Sequence, residues 1–149
     1  MLLNETPQSE KISVQAAQKV AEKGYGTIVT HEYLRSLLRC DPPPFGTHDD
    51  FIAYSFELLQ AVDSLKTELL HTHRILLRNL RGSGYQLVEP SQQTTIAMER
   101  FVDSFHRAIR RAGEELEYIN HSLLNQEERQ KNTEAKAKIA SARSLALVS

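Results

Sequence analysis

Eight apolar residues near the end of the chain keep an unbroken beat. Met98, Val102, Phe105, Ile109, Ala112, Leu116, Ile119 and Leu123 follow one another at spacings of 4, 3, 4, 3, 4, 3 and 4. This alternation places every member on one stripe of an α-helix. It predicts a heptad-patterned helix over residues 91–124, with Ser91 as its N-cap after Pro90. Phe101 widens the stripe at its start, and Gly113 weakens the helix by roughly 1 kcal/mol relative to alanine without breaking it. Such a stripe needs a partner. Self-association as a homodimer or tetramer is the expected answer, with those eight residues as the contact. Phe101 and Phe105 are bulky for a tight parallel pair, which turns attention to antiparallel pairs and bundles.

The rest of the composition sets limits. The chain has 149 residues, enough for one domain and an extension. Its net charge of −1 argues against a bulk electrostatic nucleic-acid binder and leaves room for a local basic patch. One cysteine, Cys40, rules out an intramolecular disulfide framework and fits a reducing compartment. Its surroundings, "LLRCDPPP", suit a packed or surface thiol better than a nucleophile. The chain contains no long apolar run of membrane-spanning size and no secretory start, so the expected setting is intracellular and cytoplasmic, without a membrane partner.

Before the heptad stripe the pattern is helix, short helix, helix, hairpin. Residues 1–9 are expected to fray. A helix over Ser9–Lys23 carries Ile12, Ala16, Ala17 and Val20 and stops at Gly24 and Gly26. Thr27–Val29 reads as a short strand. Thr30 caps a helix with Tyr33, Leu34, Leu37 and Leu38 on one face, ended before the rigid "PPP" of Pro42, Pro43 and Pro44. A third helix starts near Thr47 or Asp49. Its apolar face carries Ile52, Phe56, Leu59, Val62, Leu65 and Leu69 at a spacing of about 3.6, over about five turns. Ile75–Leu80 and Tyr85–Val88 are predicted strands, joined by "RGSG", whose Gly82 and Gly84 supply the positive φ of a tight reversal. Beyond Leu124 the sequence turns polar, and residues 125–149 are expected to form a solvated helix or a partly disordered tail.

The hairpin holds the most suggestive chemistry. Arg74, Arg78 and Arg81 fall within eight residues. A guanidinium at a turn can meet a phosphate, and backbone N–H groups beside Gly82 and Gly84 can add to it. Lys66 and His73 stand just upstream. These seven, Lys66, His73, Arg74, Arg78, Arg81, Gly82 and Gly84, are the candidate nucleic-acid contacts. The competing reading is a plain turn with solvated arginines.

The "NLRGSGYQL" of Asn79–Leu87 resembles the wing of the effector domains of OmpR-type response regulators, which read "TVRGVGYRL"; Arg81, Gly82, Gly84, Tyr85 and Leu87 are shared. "TIVTHEYLRSLL" is similar to the segment that opens their helical part, and "FIAYSFELLQAVDSL" stands where their recognition helix would be. The likeness covers about residues 27–90, the effector module alone. It implies a winged-helix unit, double-stranded DNA as partner and transcriptional regulation. The chain departs from that pattern at the recognition helix. Asp49–Ser64 contains Asp49, Asp50, Glu57 and Asp63 and no lysine or arginine, and such a helix is repelled by phosphates.

The expected fold is therefore mainly α with a small β-hairpin: a winged-helix-like unit over 1–90, then the long oligomerisation helix. The opposing reading keeps the fold but makes the chain an adaptor or inhibitor that binds protein. A third has Tyr85, Tyr54 and Phe51 stacking the bases of single-stranded DNA. Nothing proposes an enzyme, a cofactor or a metal. His71 and His73 would share a face on a strand, yet only Glu68 is near them. Carboxylate pairs such as Glu115/Glu117 read as helix-end tuning rather than acid–base machinery. Arg100, Arg107, Arg110 and Arg111 are read as a solvated face paired with nearby carboxylates.

Overall fold

The computed structural model describes residues 8–146. Among them are five α-helices and one antiparallel sheet of three strands. The helices are α1 (Gln8–Ala21), α2 (His31–Leu38), α3 (His48–Thr72), α4 (Pro90–Glu117) and α5 (Gln126–Ala146). The strands are β1 (Ile28–Val29), β2 (Leu77–Leu80) and β3 (Gly84–Leu87). The mainly helical expectation holds. The hairpin gains a third strand, because β1 pairs with β3 and gives the order β1-β3-β2. The chain divides into two compact units, one up to Gln93 and one from Thr94.

Local chemistry explains where the helices of the first unit begin and end. Thr30 accepts a hydrogen bond from the Tyr33 N–H at 3.1 Å and starts α2. Arg39 closes α2 in the left-handed conformation, φ 54°, its N–H donating back to the carbonyls of Arg35 and Ser36. Thr47 and Asp50 form a reciprocal capping box at the start of α3. Gln8 and Ser9 belong to α1 rather than to a frayed end, and residues 1–7 of that expectation lie outside the described ones.

The core lies between α1, α2, the second half of α3 and one face of the sheet. Ala16, Ala17 and Val20 meet Leu34, Leu38, Val62, Leu65 and Leu69, with Val29, Ile75, Leu77 and Leu87 from the strands and their approach. Small residues on α1 let it pack close to α3. Leu65 and Leu69 are fully buried, and truncating a leucine of that kind costs about 2–5 kcal/mol.

The apolar row of α3 does not face the core along its whole length. Val62, Leu65 and Leu69 are buried, but Ile52, Phe56 and Leu59 are exposed. The spacing is the reason. From Ile52 to Leu69 is 17 residues. At about 100° per residue the row swings about 100° around the helix. The two halves therefore look in different directions.

The sheet owes its third strand to one glycine. Gly84 is buried with φ 131°, and a Cβ there would collide with the carbonyl oxygen of Val29 and crowd Thr30. Only a residue without a side chain lets β3 pass this close to the end of β1. Gly82 differs: φ is 81° and the space around it is open. It occupies the third position of the Leu80–Ser83 turn, closed by the Ser83 N–H on the Leu80 carbonyl at 3.0 Å.

The second unit corrects the long-helix expectation. α4 starts at Pro90, so Ser91 lies inside its first turn, and it ends at Glu117 rather than at residue 124. Ile119 lies in the turn that follows and Leu123 in a short 3-10 turn, both exposed. The heptad pattern outlives the helix by two members. The tail expected over 125–149 is helical from Gln126 to Ala146, and residues 147–149 lie outside the described ones. Asn125 and Glu128 start α5 with a reciprocal capping box, 2.8 and 2.9 Å. α5 then runs back along α4. Asn132, buried, donates its side-chain amide to the Leu116 carbonyl at 3.2 Å; Lys136 pairs with Glu117 at 3.1 Å; Arg143 lies beside Gly113.

Two substitutions separate the glycine roles. Gly84→Ala must displace a strand and is expected to destabilise the protein by about 3 kcal/mol or more. Gly82→Ala meets only the left-handed backbone penalty of about 1–2 kcal/mol. Urea unfolding of the two variants beside the parent checks the order. Equal losses would show that the Val29 approach is not what holds Gly84.

Candidate nucleic-acid interface

The hairpin sorts the candidate cations onto two faces. Residues alternate sides along a strand, and the register aligns Val29 with Tyr85 and Leu77 with Leu87. Those four side chains look toward the helices. Ile28, Gln86 and Arg78 form the opposite row, directly across the three strands. Arg78 is exposed there, and Ile28 beside it is half exposed.

Lys66 is on the inner side. Its Nζ stands 5.4 Å from the centroid of the Tyr85 ring, which meets the His31 ring in a T-shaped pair at a centroid distance of 5.0 Å. A cation over an aromatic face is held there by the ring quadrupole. Burial raises the Tyr85 phenol above its usual range, and Asp63 nearby raises it further. Lys66 is thus partly engaged with the core, away from the Arg78 face.

Arg74 is set by the end of α3. His73 caps the helix, its N–H donating to the Leu69 carbonyl at 3.1 Å, and the Ile75 N–H reaches the same oxygen at 3.0 Å. The residue between them must turn left-handed, and Arg74 does so with φ 58°. Glycine is the usual occupant of that position. The Tyr25 hydroxyl donates to the Arg74 carbonyl at 3.4 Å and helps to fix the bend. Arg81 and Gly82 form the exposed tip of the hairpin. Arg74, Arg78 and Arg81 are all exposed, and no side-chain hydrogen bond or ion pair engages them among the described residues. Gly84 belongs to the packing of β1 on β3, not to the tip, so its backbone is not part of this surface.

Other candidates scatter. His71 sits in the last turn of α3 and His73 at its cap, so the shared strand face imagined for them does not exist. Tyr54 spends its hydroxyl on the Cys40 carbonyl at 2.9 Å. Tyr85 has its ring covered, and Phe51 lies among apolar neighbours on α3. The three rings do not form a stacking platform. Cys40 is half-buried with its thiol toward the Leu38 carbonyl. Burial raises its pKa, and Glu57 and Asp41 raise it further, so the thiol stays protonated near neutrality. Arg100, Arg107, Arg110 and Arg111 are exposed on α4 and make no ion pair among the described residues; Arg107 donates to the Asp103 backbone carbonyl instead. The expected carboxylate pairing of that face is not formed.

The heptad row is divided as a contact surface. Ile109, Ala112 and Leu116 are buried or half-buried over the stretch where α5 turns back. Met98, Phe101 and Val102 are exposed, and Phe105 is half-buried with its ring stacked on Phe101 at 5.7 Å. No helix among the described residues is long and apolar enough to cross a membrane. The chain matches no protein-family model, no curated protein and no solved structure.

Arg74→Gly isolates the cost of the bend. It relieves a left-handed L-residue and is expected to stabilise the protein by about 0.5–1 kcal/mol. Thermal and urea unfolding measure this. A loss of stability would mean that the Arg74 side chain is held by the fold.

Proposed function

We propose that the unit up to Gln93 is a winged helix and that its hairpin grips the phosphate backbone of duplex DNA, the protein acting as a self-associating transcriptional regulator. The fold reading is supported by the element order α1-β1-α2-α3-β2-β3 and the sheet order β1-β3-β2. The observation that carries the function is the set of three exposed arginines, Arg78 and Arg81 on the hairpin and Arg74 in the bend that leads into it, with no ion-pair partner among the described residues. One of them, Arg74, occupies a backbone conformation where glycine would be less strained.

Contact of this kind positions the protein and reads no bases. The exposed half of α3 has the wrong chemistry for the major groove: it offers phenylalanines and carboxylates where guanidinium or amide groups are needed. Three phosphate contacts make a weak grip, and a second copy converts it into an avid one. The open start of the heptad row, Met98, Phe101, Val102 and Phe105, supplies the self-contact; Ile119 and Leu123 have no part in it.

Fluorescence anisotropy with labelled duplex and single-stranded DNA at about 50 and 200 mM salt tests the first claim. Duplex binding should weaken steeply with salt, and Arg78→Glu with Arg81→Glu should abolish it while the fold and the oligomer persist. A folded protein with no binding at low salt would reduce the hairpin to a turn.

Val102→Glu tests the second. Light scattering after size exclusion should show the parent as a dimer or larger and the variant as a monomer. A monomeric parent would remove the avidity from the proposal.

A further inference from the structure

The exposed half of α3 carries a line of side chains that the DNA reading leaves unused. Asp49, Ile52, Phe56, Leu59 and Asp63 follow at spacings of 3, 4, 3 and 4. This is one face of the helix. Phe56 and Leu59 are 64% and 59% exposed, Ile52 and the neighbouring Phe51 41% each. Together with His48 and Ser55 they form one continuous exposed patch on this helix. Apolar side chains of this size, gathered on one exposed helix face, mark a contact surface rather than random exposure.

The ends of the line decide what can cover it. Asp49 and Asp63 bracket the apolar three, 14 residues and so about 21 Å apart along the axis. The capping carboxylate is Asp50, held below its usual pKa by the Thr47 amide; Asp63 stands near the Tyr85 phenol, and no ion pair engages Asp49 or Asp63 among the described residues. Lys66, the next cation along α3, is turned onto Tyr85. A second copy of the same line is a poor occupant. Laid antiparallel about Phe56, it sets Asp49 of each copy on Asp63 of the other; laid parallel, it sets each aspartate on its twin. Either way like charges meet beside apolar contacts that exclude water, which costs affinity.

We propose that this face of α3 docks an amphipathic helix of another protein that carries lysine or arginine at both ends of a three-residue apolar row, so that its cations meet Asp49 and Asp63 while its row packs over Ile52, Phe56 and Leu59. The mode is helix against helix, with the aromatic Phe56 at the centre and the charges at the rim, where they fix register. The proposal stands independently of the DNA reading.

The probe is a fluorescein-labelled, end-capped helical peptide with leucines at i+3, i+7 and i+10 and lysines at positions i and i+14, beside a twin with glutamates there. The full chain is titrated into each at about 50 and 200 mM salt. The lysine peptide should bind and the glutamate peptide should not. Phe56→Ala with Leu59→Ala should weaken binding at least about tenfold. Asp49→Lys with Asp63→Lys should reverse the preference between the peptides. Both variants change exposed side chains, and circular dichroism with duplex titration verifies that fold and hairpin function persist. No binding of the lysine peptide, an unchanged preference in the charge-reversed variant, or a parent dimer that Phe56→Ala with Leu59→Ala dissolves would each overturn the proposal.

Discussion

The passage of β3 beneath the end of β1 is the constraint on which the first unit rests. At Gly84 the backbone runs against the Val29 carbonyl and the Thr30 Cα. Three features follow from that approach. The two-residue β1 acquires a partner. Thr30 is brought to the place where its hydroxyl starts α2. Tyr85, the next residue, is set on the inner face, where its ring meets His31 and Lys66. A side chain at Gly84 would push these apart together, so the hairpin and the helices are not separable modules. The exposed tip at Arg81 and Gly82 is free to vary because the anchoring happens two residues later.

α3 shows how one helix can serve two purposes without a kink. Its second half gives Val62, Leu65 and Leu69 to the core and ends under Ile75. Its first half keeps only Tyr54 and Leu58 on the covered side, and an apolar stripe rotated by about 100° cannot fold back onto the same neighbours. The capping box at Thr47 and Asp50 lets this projecting half start cleanly in solvent. Its exposed phenylalanines leave much of their apolar surface in water and raise the hazard of non-specific association.

Much of the architecture was legible in the sequence because it depends on local chemistry. Thr30 and Thr47 announce helix starts, the three prolines end α2's segment, and the glycines of "RGSG" give the turn. What the sequence hid was geometry at longer range. The apolar row of α3 looks continuous until its spacing is converted into angle, and then its drift is visible. The heptad row runs past Glu117 without a proline or glycine to stop it, so nothing in its period shows the break. The signal for the break lay instead in "NQEE", where Asn125 and Glu128 stand at capping-box spacing and begin a new helix. The role of Gly84 was misread for another reason. Two glycines in one turn look alike in sequence, and only the neighbouring strand distinguishes the one that bends the chain from the one that lets a strand pass.

Charge in this protein is balanced in sum and sorted in space. A net charge of −1 projects little field beyond the screening length of about 8–10 Å at physiological salt, so polyanions are not steered from a distance and encounter is left to diffusion. At contact range the picture changes, since the hairpin shows arginines without acids and the first half of α3 shows acids without lysine or arginine. A surface divided this way favours two partners of opposite charge over one of either kind. Repulsion from α3 also limits how a duplex can approach: a pose that laid α3 along the groove would set Asp49 and Asp63 against phosphates. If the hairpin arginines meet a duplex as proposed, the pose that avoids this repulsion leaves the first half of α3 away from the backbone, which would also keep its apolar line open.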